Sequence, residues 1–226
     1  MRSRSKGYLE QVKAQPKEPV SLAEAVKKVK GFKAKFDQTV DCVVHLGIDT
    51  KAADQLVRGA LSLPNGIGKA KRVIAFVDEG DAEAAKAAGA IEAGVDDLVK
   101  KVEGGWSDFD VAIAHPKVMG KVGKLGRVLG PQGKMPSPKN GTVTADIKTA
   151  VQEFAAGKVE FRNDAGGNLH VVVGKQSFDE QKLVENIEAF LNHIKKIRPS
   201  TAKGTYIKRI SLSATMSPGV DVIVVS

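Results

Sequence analysis

From Phe36 to Ile48 the chain alternates with a period of two. Val40, Cys42, Val44, Leu46 and Ile48 share one side, and Asp41, Val43 and His45 share the other. Such a stretch is a strand with one face to bury, and its sequence neighbours cannot bury it. Before it, SLAEAVKKVKGF predicts a helix opened by a Ser21–Glu24 capping box, striped by Leu22, Val26 and Val29 and stopping around Gly31. After it, Asp49 or Thr50 caps a second predicted helix, with Leu56 and Val57 inside and an end near Leu63–Pro64. One strand and two helices are too little for an independent core.

The missing faces stand at the other end of the chain. Val159, Phe161 and Asn163 alternate with Glu160, Arg162 and Asp164; Ala165-Gly166-Gly167 predicts a hairpin turn, and Leu169, Val171 and Val173 continue the apolar face on the return. Ser177 with Glu180 reads as another capping box, opening a helix with Leu183, Val184, Ile187, Phe190, Leu191 and Ile194 inside. A further strand sets Ile210, Leu212, Ala214 and Met216 against Arg209, Ser211, Ser213 and Thr215, and Val220–Val225 closes the sheet. Residues 1–66 and 159–226 are therefore expected to form one discontinuous α+β domain.

Between them the texture is different. Arg72–Val77 and Val111–Ala114 read as short buried strands, Ala82–Ala88 and Val95–Val102 as helices, Thr142–Thr144 as strand-like, and Asp146 as the cap of a helix through Ile147, Ala150, Val151 and Phe154. Alternating strands and helices imply a largely parallel sheet. Residues 67–158 are thus expected to be an inserted, three-layer, Rossmann-like α/β domain of roughly 90 residues, a usual domain size. Asn65-Gly66-Ile67-Gly68-Lys69 lacks the Walker spacing and its Lys-Ser/Thr pair, so it is read as a hinge rather than a phosphate loop.

Within the insertion, Lys117–Thr144 carries six cations (Lys117, Lys121, Lys124, Arg127, Lys134 and Lys139) and no acid. Val118, Val122, Leu125 and Leu129 make a helical stripe in its first half; prolines and glycines turn its second half into a loop. A cationic helix entering a basic loop suits phosphates; a solvated helix face followed by a long connection is the alternative. Residues 1–35 add ten basic residues against three acidic ones, and their start reads as a mobile basic arm.

The net charge of +9 favours an anionic partner, nucleic acid before membrane surface. No apolar run approaches the roughly 20 residues that span a bilayer, so no membrane partner is expected. The basic start MRSRSKGYLEQ has no apolar segment after it, which argues against secretion. The single cysteine, Cys42, excludes an internal disulfide, fits a reducing compartment and sits on the apolar face. Cytoplasmic residence is the expectation. His45, His115, His170 and His193 are dispersed without metal-ligand spacing, and no nucleophile motif stands out. No metal, cofactor or catalytic residue is expected. A nucleotide-binding α/β enzyme is the runner-up reading, and a generic polyanion binder the third.

GKVGKLGRVLGPQGKMPSPKNGTV resembles the signature segment of the ribosomal protein L-one family, the large-subunit proteins of the lateral stalk beside the tRNA exit site. KFDQTVD at Lys35–Asp41, VRGALSLPNGIGK at Val57–Lys69, GGWSDFDVAIA at Gly104–Ala114, KVEFRNDAGGNLH at Lys158–His170 and SATMSPGV at Ser213–Val220 extend the resemblance in order. It implies the same two-domain architecture, with the crossings between the domains acting as a hinge. It also implies binding of large-subunit rRNA by the first domain, assistance to deacylated tRNA leaving the exit site, and in bacteria repression of the protein's own messenger through its leader. The implied state is a monomer off the ribosome and cytoplasmic on it, with an organellar copy left open.

The implied rRNA contacts are Thr215 and Met216, Phe36 with Lys35 beside it, and, from the Arg162–His170 hairpin, Asp164 and His170. The family glycine after the Thr-Met pair is Ser217 in this chain; its Cβ loosens backbone approach to RNA, or its hydroxyl adds a contact. The hydroxyls and guanidinium of Arg209, Ser211 and Thr215 are read independently as RNA-facing, an ordinary solvent-facing strand being the alternative. Lys121, Lys124, Arg127, Lys134 and Lys139 are expected to form the basic loop of the second domain, which the resemblance places nearer the moving tRNA, with the loop itself facing either tRNA or rRNA.

Overall fold

The computed structural model describes residues 6–16, 18–32 and 34–224. Arg2 and Arg4 of the expected basic arm, Lys17, Lys33 and the final residues from Val225 lie outside the described residues. The described residues open with α1 (Lys6–Lys13), inside the stretch read as a basic arm, and continue through α2 (Leu22–Gly31), β1 (Thr39–Leu46) and β2 (Arg58–Leu61). Next come β3 (Val73–Phe76), α3 (Glu79–Ala87), β4 (Glu92–Gly94), α4 (Asp96–Glu103), β5 (Val111–Ala114), α5 (Met119–Val122), α6 (Gly126–Leu129) and α7 (Ile147–Ala155). The last part is β6 (Val159–Arg162), β7 (Asn168–Lys175), α8 (Glu180–Lys196), β8 (Ile207–Ala214) and β9 (Val220–Val222). Contacts divide the chain into two units, Met1–Gly68 with Val159–Ser226, and Lys69–Lys158.

In the first unit an antiparallel sheet runs in the order β7-β1-β8-β9. Cys42 stands opposite Val171 on β7 and Leu212 on β8. Val40, Cys42, Val44 and Leu46 are buried as their alternation predicts, and α2 and α8 cover that face. Ser21 and Glu24 form the expected capping box. The opposite face of the sheet carries the partly exposed Asp41, Val43 and His45.

Four local expectations fail for tertiary reasons. Residues 49–63 are not a helix: turns lead into β2, which pairs antiparallel with β6. Gly59 poorly supports a helix interior but fits this strand, where an added Cβ would lie 3.1 Å from the Phe161 ring. The hairpin turn forms at Asp164–Asn168, yet β6 and β7 share only the Asn163–Leu169 bridge, because β7 joins β1 instead. Ser177 does not cap α8. Its N–H and hydroxyl both donate to Asp37, and Asp179 occupies the N-cap. Met216 also leaves the apolar face, since β8 ends at Ala214 and turns.

The second unit holds a parallel sheet in the order β4-β3-β5. Ile74, Phe76, Ala112 and Ala114 on one face pack with Leu98 and Val102 of α4 and with Val118, Val122, Leu125 and Leu129. α7 packs on β3 and β5 from the remaining face, giving three layers. Asp146 caps α7 through Thr149, and Ile147, Ala150, Val151 and Phe154 are buried. β4, the tripeptide Glu-Ala-Gly, had no sequence signal. The basic helix keeps its buried stripe but breaks into short 3₁₀ and α turns; Gly120, Gly123 and Gly126 weaken a continuous helix.

Asn186 of α8 is fully buried and ties the first unit's outgoing segment down. Its Nδ2 donates to the carbonyls of Gly66 (2.9 Å) and Val173 (2.8 Å), and its Oδ1 accepts from the Asn65 N–H (3.0 Å). Asn186→Leu leaves these groups unmet, so chemical denaturation should show a loss of about 2 kcal/mol or more. A loss below roughly 0.5 kcal/mol would mean that the bonds add nothing to stability.

Candidate nucleic-acid interface

At one end of the open sheet face, the segment entering β1 meets the turn leaving β8. Thr215 N–H donates to the Thr39 carbonyl (3.1 Å), and Thr39 N–H donates to Thr215 Oγ1 (3.1 Å). Lys175 Nζ donates to Thr39 Oγ1 (2.9 Å). This clasp presents two large apolar side chains to solvent, Phe36 at 53% and Met216 at 63% exposure. Lys35 beside them is exposed as well. Ser217 Oγ accepts from Ala214 N–H (2.8 Å) and is within donating distance of the Ala214 and Pro218 carbonyls. The hydroxyl therefore serves its own turn.

The other residues anticipated from sequence spread along the same face. His170 and Ser211 flank Val43 across the sheet, and Arg209 and Asn168 flank His45 at the far end. Arg209 is not a bare cation: its Nε donates to Asp221 (2.9 Å), and Ser211 Oγ donates to the same carboxylate (2.5 Å). Burial pushes the Asp221 carboxyl up, but these bonds outweigh burial and leave it below the usual range. Asp41 is the opposite case, raised because burial outweighs His170 and Lys175. The face thus mixes carboxylates, cations and hydroxyls and is not a uniformly positive track.

Asp164 holds the turn beyond β6. Its carboxylate accepts from the backbone N–H of Gly166 (2.8 Å) and Asn168 (2.7 Å), from Asn168 Nδ2, and faces His170 Nε2 at 3.4 Å. Bonds from Asn168, with help from His170 and Gly166, lower its pKa to about 2. Cys42, by contrast, is pushed up to about 12 by burial and is an inert core thiol.

In the second unit Lys124, Arg127 and Lys139 are exposed. Lys121 pairs with Asp96 (2.9 Å), and Lys134 donates to the Ser107 carbonyl (2.9 Å) with its ammonium 4.9 Å from the Phe109 ring centroid. The anticipated basic loop therefore divides into three outward cations and two with internal partners. Sequence reasoning missed Asp37, Gln38 and Asp221. Parity could have found two of them: Gln38 precedes Val40 on the inward side of β1, and Asp221 lies between inward Val220 and Val222.

The fold and this platform describe a two-unit protein whose first unit is closed by both ends of the chain. A sequence model of the ribosomal protein L1p/L10e family matches residues 26–218, and the chain belongs to that family. It is 51% identical over 207 residues to the large ribosomal subunit protein uL1 of Cutibacterium acnes, covering 92% of this chain and 87% of that one. The proteins of the same name from Nocardioides sp. and Beutenbergia cavernae are each 53% identical, over 84% and 91% of this chain and 79% and 84% of theirs.

Asp164's lowered pKa gives a direct check. A depressed carboxyl contributes stability above its unfolded pKa, near 4, and loses it as pH falls through the folded value. NMR titration should place Asp164 at about 2, with the turn loosening only below pH 4. A midpoint near 4 would show that the turn does not hold the ionised form.

Proposed function

We propose that the chain is a structural constituent of the large ribosomal subunit in the cytoplasm, and that its first unit binds large-subunit rRNA in the lateral stalk. The observation that carries this reading is the pair of exposed apolar side chains, Phe36 and Met216, held together by backbone bonds beside Lys35 and Thr215. An isolated exposed hydrophobe means little, but a fastened pair amid hydroxyls suits stacking on unpaired bases and contact with 2′-hydroxyls. Asp164, His170, Arg209 and Ser211 extend the surface along the sheet. The second unit presents Lys124, Arg127 and Lys139 to exit-site tRNA and assists its movement and release. The same rRNA-reading platform binds the leader of the protein's own messenger and represses its translation. The units move about the two crossings as a hinge, and the protein is a monomer off the ribosome.

Phe36→Ala with Met216→Ala should weaken equilibrium binding to a transcribed stalk rRNA fragment, since removing one stacking side chain costs about 1–3 kcal/mol. Affinity for that fragment should also fall less steeply with salt than affinity for a random duplex, whose binding is nearly all counterion release. Unchanged affinity in the double variant, together with equal salt slopes, would dismiss the platform.

Lys124→Gln with Arg127→Gln should leave rRNA affinity nearly unchanged and slow tRNA release from the exit site of assembled ribosomes. A fall in rRNA affinity of about a hundredfold, roughly 2.7 kcal/mol, would contradict this division of labour.

A further inference from the structure

The two sides of the platform meet across one buried amide. Gln38 is 1% exposed at the entry to β1, on the side where the strand otherwise places apolar residues. Its Oε1 accepts from the Met216 N–H (2.9 Å), while its Nε2 donates to the Phe32 carbonyl (3.0 Å) and to Gln176 Oε1 (3.1 Å). A backbone N–H only donates and a carbonyl only accepts, so one orientation of the amide serves both neighbours. Gln176 completes the arrangement: its N–H donates to the Gln38 carbonyl (2.8 Å), and its Nε2 donates to the carbonyls of Phe32 (2.7 Å), Lys30 (3.0 Å) and Val29 (3.1 Å). These acceptors include carbonyls at the end of α2 that have no partner within the helix. On the outer side of the same segment, Asp37 accepts from Ser177 N–H (3.0 Å) and Oγ (2.9 Å).

We propose that Gln38 is a positioning residue for RNA binding, whose buried amide links the end of α2 to the Met216 turn and so holds Phe36 and Met216 at a set spacing before RNA arrives. The proposal rests on the reading of that edge as the RNA platform. Phe36 and Met216 are on separate segments, far apart in sequence, and each is too exposed to be placed by packing. Their spacing depends on backbone bonds between the segments, of which Gln38 makes the only one from a fully enclosed side chain among the bonds described above. Its amide is buried where it holds the Phe32 carbonyl, and a side chain anchored there meets the part-buried Met216 N–H with less competition from water than an exposed one would. Methionine at position 38 fills similar space but leaves the Met216 N–H and the Phe32 carbonyl without this partner. Asparagine keeps the amide but is one methylene too short to serve both.

The test is a double-mutant cycle on the full-length chain, read by equilibrium binding to a transcribed large-subunit rRNA fragment containing the stalk, with thermal melts of every variant. Gln38→Met should lower affinity by about tenfold, the scale of leaving buried hydrogen-bonding groups unmet. In a Phe36→Ala, Met216→Ala background the same change should cost less than about twofold, because nothing remains to be positioned. A structural role alone would cost the same factor in both backgrounds. Full affinity in Gln38→Met, or an equal loss in both backgrounds, overturns the proposal while leaving the platform standing. If the Phe36→Ala, Met216→Ala protein binds like the parent, the platform falls and the proposal with it. Should melting show Gln38→Met unfolded at the assay temperature, Gln38→Asn goes through the same cycle with the same outcomes.

Discussion

β1 lies between β7 and β8, so both of its hydrogen-bonding edges are satisfied by strands from the last third of the chain. The same neighbours bury its apolar side: Cys42 and Val44 are fully enclosed, and Leu169, Val171 and Leu212 stand across the ladder from them. Burying such side chains contributes about 1.5–3 kcal/mol each relative to exposure, and none of it is available until the chain returns. The excursion from Lys69 to Lys158 must therefore form its own core, which its three-layer arrangement provides.

This constraint also shapes the surface. Helices cover one face of the β7-β1-β8-β9 sheet, leaving the other for polar groups that alternate along the strands. Where β1 begins and β8 ends, two segments distant in sequence run side by side, and there the exposed apolar pair stands. Charge on the open face is largely committed internally, as Arg209 is to Asp221 and Asp164 to its own turn. On the reading proposed above, such a face would discriminate by shape and base contact more than by phosphate attraction.

Much of this was legible in period and parity. The alternation of Val40, Cys42, Val44 and Leu46, the stripe of Val118, Val122, Leu125 and Leu129, and the cap at Asp146 each act locally, and each holds in the structure. What was not legible depends on distant partners. Residues 49–63 lose their helix because Arg58–Leu61 pair with β6 and Val57 bonds Asn163 just beyond it, and Ser177 abandons its cap because Asp37 takes its hydroxyl. β4 is too short to show a period. Phe36, Lys35 and Met216 come from resemblance, while Thr215 also follows from the hydroxyls alternating on its strand; Gln38 beneath them carried only a parity signal, a polar residue at an inward position.

The central claim is that both chain ends make one self-sufficient core bearing the proposed RNA platform. The direct measurement joins residues 1–68 to 159–226 through a short Gly/Ser linker and follows thermal melting and stalk rRNA affinity of the product. The linker itself costs little, since loop closure changes by only about 0.6 kcal/mol per doubling of length. A single cooperative melt with affinity close to that of the full chain is the predicted result. A folded product without rRNA affinity would move the interface to the insertion and contradict the account.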